Sequence, residues 1–163
     1  MNLTERRILS GCAAEEVGDI REAVRIYEDI LSFCEHSSVL INLGTIRYNQ
    51  KQYKAAEQLY RRATVVAPDY PLAWFNLGNA LDERDRPTEA REAYQHALDL
   101  NPRYAEAHYN LARLLESQLR HVTALRHWRE YLRLDPISPS AEAARRNIRE
   151  TIERSGMTLV RVA

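Results

Sequence analysis

The chain repeats itself at one fixed interval, and no other feature constrains its fold as tightly. Pro68, Pro102 and Pro136 are evenly spaced, and Ala56, Ala90 and Ala124 are spaced by the same step. Asn42, Asn76 and Asn110 keep that step too, as do Leu43, Leu77 and Leu111. Tyr60, Tyr94 and Trp128 hold an aromatic column in register with them. Ala23 and Tyr27 stand before Ala56 and Tyr60 by one position less than the step, which marks a slightly shortened earlier copy. A period of this length means one supersecondary unit stacked on its own copies, because a single unit cannot cover its apolar face.

Each copy holds two amphipathic stretches of about 13 residues with apolar positions at helical spacing. In the third copy Trp74, Leu77, Gly78 and Leu81 share one face, and Ala90, Ala93, Tyr94 and Ala97 share the next. Gly78 opposite Ala90 lets two helix backbones approach. Pro87 fits the first turn of a helix, where its missing N–H costs nothing, and Pro102 stops the helix before it. Ser138-Pro139 then reads as the start of one further helix. Ala141, Ala144, Ile148 and Ile152 form its apolar stripe, and Gly156 ends it. Arg145, Arg146, Arg149, Glu150, Glu153 and Arg154 face water on this reading, with Glu142–Arg146 and Glu150–Arg154 as i,i+4 pairs.

The pattern resembles the tetratricopeptide repeat. Its clearest copy runs Trp74-Phe75-Asn76-Leu77-Gly78-Asn79-Ala80 and on through Ala90, Tyr94, Ala97 and Pro102. Copies fall at about 4–36, 37–70, 71–104 and 105–138, with a capping helix at about 139–155 and a tail at 157–163. Ser10-Gly11 stands where Leu-Gly is usual, Glu35 replaces the closing Pro, His108 takes the Trp position and Ala112 the Gly position. The resemblance implies an all-α fold, a right-handed superhelical α-solenoid of antiparallel helix pairs spanning 1–156 as a single array. Nine helices are expected, with Trp74 and His108 equivalent and mostly buried.

Composition removes other classes. Five Gly and six Pro in 163 residues argue against a turn-rich β protein, and 45% apolar with 28% charged residues argues for a folded chain. Twenty-three basic and twenty-three acidic side chains give no overall field toward nucleic acid or an anionic membrane. No apolar run approaches a membrane span, and Met1-Asn2-Leu3-Thr4-Glu5-Arg6-Arg7 has no leader pattern, so a cytoplasmic protein is expected. Cys12 and Cys34 are expected as free thiols, too far apart along paired helices to bridge.

No chemistry of catalysis is legible. The glycines form no phosphate loop, and no Ser or Cys has a His and an acid at motif spacing. His121 and His127 lie on different faces of one helix and make a poor metal pair. Asp82, Glu83, Asp85 and Glu116 read as solvated acids on helix surfaces. The arginines at 126, 129, 133, 145, 146 and 149 read as a salt-laced surface rather than a nucleic-acid face. No cofactor and no metal are expected.

What the resemblance implies is a non-catalytic scaffold that binds a peptide or protein segment in the groove lined by each repeat's first helix. The groove positions are Ile41, Asn42, Thr45, Tyr48 and Asn49 in the second copy. The third copy contributes Phe75, Asn76, Asn79, Asp82 and Glu83, and the fourth contributes Tyr109, Asn110, Arg113, Glu116 and Ser117. A two-carboxylate clamp of the chaperone-tail kind is argued against, because its cations would fall on Ile8 or Ile41 and on Glu106 and Asn110. The recurring Asn resembles the Asn ladder of sugar-transferring enzymes with long arrays, where a side-chain amide meets the peptide backbone. The same Asn also suits a bond between neighbouring helices, and the sequence leaves both readings open.

Two alternatives remain: a self-assembling scaffold, or the interaction part of a bacterial transcriptional regulator. Residues 1–36 carry four Arg and eight acids, whereas 119–163 carry nine Arg and five acids. That axial charge difference, with the apolar tail Leu159-Val160-Arg161-Val162, suits a heterologous contact between copies.

Overall fold

The computed structural model describes residues 2–156, and among them the fold is all-α. Nine helices follow one another: α1 (Leu3–Glu16), α2 (Ile20–Leu31), α3 (Ser37–Asn49), α4 (Tyr53–Val66), α5 (Pro71–Asp82), α6 (Pro87–Leu100), α7 (Ala105–Ser117), α8 (His121–Leu134) and α9 (Pro139–Ser155). The tail at 157–163, with the apolar contact expected of it, lies outside the described residues. No described helix is long and apolar enough to cross a membrane.

Local chemistry sets the helix ends. Asn2 and Glu5 form a reciprocal capping box on α1, Asp19 accepts the Glu22 N–H on α2, and Ser138 accepts the Ala141 N–H on α9. Pro71, Pro87 and Pro139 open their helices. The turn inside each repeat is the same device four times. Gly18, Lys51, Asp85 and Leu119 all adopt left-handed φ, at 81°, 59°, 54° and 58°. In each, the next residue's N–H reaches back five positions, as in Asp19 to Ala14 and Arg120 to Leu115.

The contacts divide the chain into two compact units, with the division after Ala90 in the first turn of α6. In the first unit α1 packs on α2, α3 on α4, α2 on α3, and α5 on both α3 and α4. Ala23, Tyr27, Ile30, Val39, Leu40, Leu43 and Ala63 are buried at its centre. Helix approach is close at the glycine positions. A Cβ on Gly11 would stand 2.4 Å from the ring of Tyr27, and one on Gly44 would stand 2.5 Å from the ring of Tyr60. Small residues there make room for the aromatic column.

In the second unit α7 packs on α8, and α8 on α9. Leu111, Ala112, Leu115, Ala124, Trp128 and Tyr131 form the interior, and Ala141 and Ala144 of α9 are fully buried against it. The outer face of α9 carries Glu150–Arg154 at 2.9 Å. Arg145 donates to the Pro136 carbonyl, and no Glu142–Arg146 pair forms among the described residues. Cys12 and Cys34 are free thiols. His108 is buried as expected, but Trp74 is only half-buried, because its indole edge reaches out to the loop before α5.

Candidate functional site

In the first unit, contact between α3 and α5 sets two first helices side by side. Asn42, Thr45 and Tyr48 of α3 and Phe75, Asn76, Asn79 and Asp82 of α5 are all half-buried, while Ile41 is buried and Asn49 and Glu83 are exposed. Half-burial is what a binding face requires: the stem is held by packing and the polar tip reaches solvent.

The three Asn do not share one environment. Asn42 Nδ2 donates to the Tyr27 hydroxyl at 3.2 Å and to Cys12 Sγ at 3.6 Å. Tyr27 in turn donates to Glu15 at 2.5 Å. Burial, then Cys12 and Glu15, push the Tyr27 phenol upward, so it stays a neutral donor. The amide of Asn42 therefore ties the second repeat to the first. Asn76 has no such intrachain bond among the described residues. Thr45 donates to the Ile41 carbonyl at 2.9 Å and lies 3.2 Å from the Tyr60 hydroxyl. Tyr48 donates to Glu83 at 3.4 Å and meets Tyr53 edge-on at 5.2 Å. Burial and the Glu83 charge push the Tyr48 phenol up to about 12.

The fourth-copy residues lie in the second unit, on α7. Tyr109 is half-buried and packs edge-on against Trp128 and Tyr131, with ring centroids 4.9 and 5.1 Å away. Asn110 and Glu116 are half-buried, whereas Arg113 and Ser117 are exposed. Burial raises the Glu116 carboxyl above its ordinary range.

Two clusters were not legible in the sequence. Glu57, on α4, is 4% exposed and is surrounded by Arg61 at 2.7 Å, Arg86 at 2.9 Å and Arg84. Glu89 extends the network to Arg61 and Arg86. Burial works against the Glu57 charge, but the Arg61 and Arg84 guanidiniums prevail and hold its carboxyl below the ordinary value. No repeat column carries an acid at this place, so no periodic signal announces it. The second cluster pairs His127 with His108, Nδ1 to Nδ1 at 2.9 Å, instead of with His121. The repeat step puts His108 in the column of Leu40 and Trp74, and twice that step puts His127 at the place of Leu59. A substituted core column was the available signal.

Among the described residues no three His, Cys, Asp or Glu side chains gather to hold a metal ion. The site as built offers amides, phenols, a phenyl ring and carboxylates on helix faces. These are groups for hydrogen bonding and packing.

A tetratricopeptide repeat model matches residues 41–98, and a TPR repeat model matches residues 83–118. No curated protein sequence matches the chain. Among solved structures the chain is similar to MamA protein at 24% identity and a TM-score of 0.85, over 94% of this chain and 83% of that one. It is similar to MamA of Desulfovibrio magneticus RS-1 at 27% identity and 0.73, over 82% and 76%. It is similar at 19% identity and 0.81, over 94% and 78%, to YrrB, described as a TPR protein with an unusual peptide-binding site.

Proposed function

We propose that this chain, which is a tetratricopeptide repeat protein, is a non-catalytic scaffold that binds an extended peptide or protein segment along the first helices of its repeats. The observation that carries the reading is the pairing of α3 with α5, which leaves Asn42, Thr45, Phe75, Asn76, Asn79 and Asp82 half-buried. Phe75 offers an apolar contact, Asn76 both a donor and an acceptor for a peptide backbone, and Asp82 a charge to select against acidic side chains. On the second unit Tyr109, Asn110, Arg113 and Glu116 are the corresponding contacts. The peptide-binding site named for YrrB agrees with a scaffold role.

The test is selection of a displayed random-peptide library on the full chain. Clones that bind the wild type and are lost on Phe75→Ala and Asn76→Ala, with thermal melting unchanged, support the reading. Clones that bind all three alike place recognition elsewhere.

Self-assembly is the second reading, favoured by the first repeat. There Leu3, Leu9, Val17 and Phe33 are 74%, 56%, 81% and 79% exposed. The excess of acids over arginines in residues 1–36 and of arginines over acids in 119–163 gives such a contact a charged complement. Light scattering decides it: a mass that rises with concentration and falls with salt supports assembly, and a concentration-independent monomer ends it.

A further inference from the structure

A pocket of about 270 Å³ opens in the second unit among α6, α7 and α8, and none of the proposed groove residues lines it. Its floor is apolar, built from Leu111 and Leu115, both buried. Arg91 and Arg120 line it, and neither guanidinium forms an ion pair among the described residues. Glu92, Gln95, Thr123 and His127 complete it.

The hydrogen bonds of the histidine pair decide what His127 presents. His108 Nε2 lies 3.0 Å from the Pro102 carbonyl oxygen, which can only accept, so His108 Nε2 carries the proton. His108 Nδ1 is then the acceptor, and His127 Nδ1 must be the donor across 2.9 Å. That leaves His127 Nε2 as a bare lone pair. Burial, with His108 and Arg126 beside it, holds the imidazole neutral by depressing its basicity to about 4.

The comparable pocket of the first unit lacks these features. Twice the repeat step relates Leu43 to Leu111, Ala55 to Thr123 and Leu59 to His127. In that pocket Arg47 is already held by Glu28 at 2.8 Å and Arg62 by Glu35 at 2.6 Å. The second unit keeps the floor leucine at Leu111 and has Leu115 where the first has Arg47. It brings in Arg91 and Arg120 from positions that hold no arginine in the first, and replaces Leu59 by a hydrogen-bond acceptor.

We infer that this pocket binds a carboxylate whose acid group stands beside an N–H or O–H donor and an apolar side chain. The carboxylate meets Arg91 and Arg120, the adjacent donor meets His127 Nε2, and the side chain covers Leu111 and Leu115. The last residue of an apolar-ended peptide and a free amido or hydroxy acid share this chemistry.

N-acetyl-leucine is the probe, titrated into the full chain with the imidazole nitrogens followed by NMR. The expected result is a shift of His127 Nε2 and binding about fivefold or more tighter than that of N-acetyl-leucinamide, which lacks the charge, or of 4-methylpentanoate, which lacks the donor. Arg91→Gln and Arg120→Gln should each weaken the probe about fivefold. His127→Leu, which restores the residue of the first unit, should erase its advantage over 4-methylpentanoate. Equal binding of the three compounds, no binding, or indifference to both arginine variants overturns the inference, and the arginine variants suffice if His127→Leu does not fold. Tighter binding of acetyl-glycyl-glycyl-leucine than of 2-hydroxy-4-methylpentanoate assigns the site to a peptide end. The reverse order assigns it to a free acid.

Discussion

The indole Nε1 of Trp74 donates to the carbonyl of Pro68 at 2.8 Å, which ties the face of α5 to the loop that leads into it. His108 stands one repeat further on and makes the same bond with Nε2, to the Pro102 carbonyl at 3.0 Å. Two side chains of different size thus do one job at one repeat position: a ring nitrogen satisfies the carbonyl of the proline that closes the previous copy.

Trp74→Phe should therefore cost about 1 kcal/mol, the net value of that hydrogen bond. Trp74→Ala should cost more, about 2–3 kcal/mol, below the usual range for a fully buried tryptophan because the ring is half-buried. Urea unfolding of the two variants checks both numbers. Equal losses would mean that the ring's packing contributes nothing beyond the bond.

The left-handed turns offer the opposite kind of change. Leu119 adopts φ 58° at the same turn position where the first repeat has Gly18. A side chain in that conformation costs roughly 1 kcal/mol, and Leu119 is 76% exposed, so little packing is lost with it. Leu119→Gly should raise stability by about 0.5–1 kcal/mol, read as a higher denaturation midpoint at constant slope.

How far the fold was legible follows from the same residues. Ala56, Ala90 and Ala124 recur because second helices cannot approach with anything larger there, and all three are fully buried. Such packing constraints repeat with the copy, so the sequence reveals them. Lys51, Asp85 and Leu119 do not look like left-handed residues, because backbone bonding to α3, α5 and α7 imposes the turn whatever side chain stands in it. The binding face was legible as positions but not as states. Asn42 and Asn76 occupy one column, yet only Asn42 has a tyrosine hydroxyl and a thiol within reach. No other copy has an acid at the place of Glu57, so the period is blind to it. The period marks His108 and His127 only as substituted core positions, without revealing that they pair.

Glu57 carries the clearest electrostatic prediction. Its carboxyl is buried among Arg61, Arg84 and Arg86, and its folded value is depressed. It therefore stabilises the fold above the ordinary carboxylate range, and that contribution is lost as pH falls through the lowered folded value. Glu57→Gln should cost about 2 kcal/mol at neutral pH, less than a fully buried pair because the arginines are partly in water. The variant should also flatten the acid limb of the stability curve. An unchanged acid limb would show that the network contributes no pH dependence.

His127 acts at higher pH and with its own sign. Its ordinary value of 6.5 falls to about 4 in the fold, so the unfolded chain binds the proton first. Stability is complete above 6.5 and is lost as pH falls toward 4. His108, Arg126 and Glu130 face the ring, and Arg91, Glu92 and Arg120 share its pocket. Solvent reaches part of this site, so the loss amounts to roughly 1–2 kcal/mol. Denaturation midpoints measured across that window should slope in the wild type, and the slope should shrink in His127→Leu.

The last prediction separates tie from ladder within one column. Asn42→Ala removes the donor that reaches the Tyr27 hydroxyl at 3.2 Å and should cost about 1 kcal/mol of stability. Asn76→Ala breaks no bond of that kind among the described residues and should leave stability within about 0.5 kcal/mol of the wild type. Binding should rank them the other way. A peptide selected on the full chain should lose about 1–2 kcal/mol of affinity on Asn76→Ala, because a buried backbone group is left unpaired. It should lose less on Asn42→Ala, whose amide N–H is already engaged. Paired melting and titration of the two variants check the ranking. A large destabilisation by Asn76→Ala with unchanged affinity would make the whole column structural, and loss of affinity on both would make Asn42 a ligand contact as well as a tie.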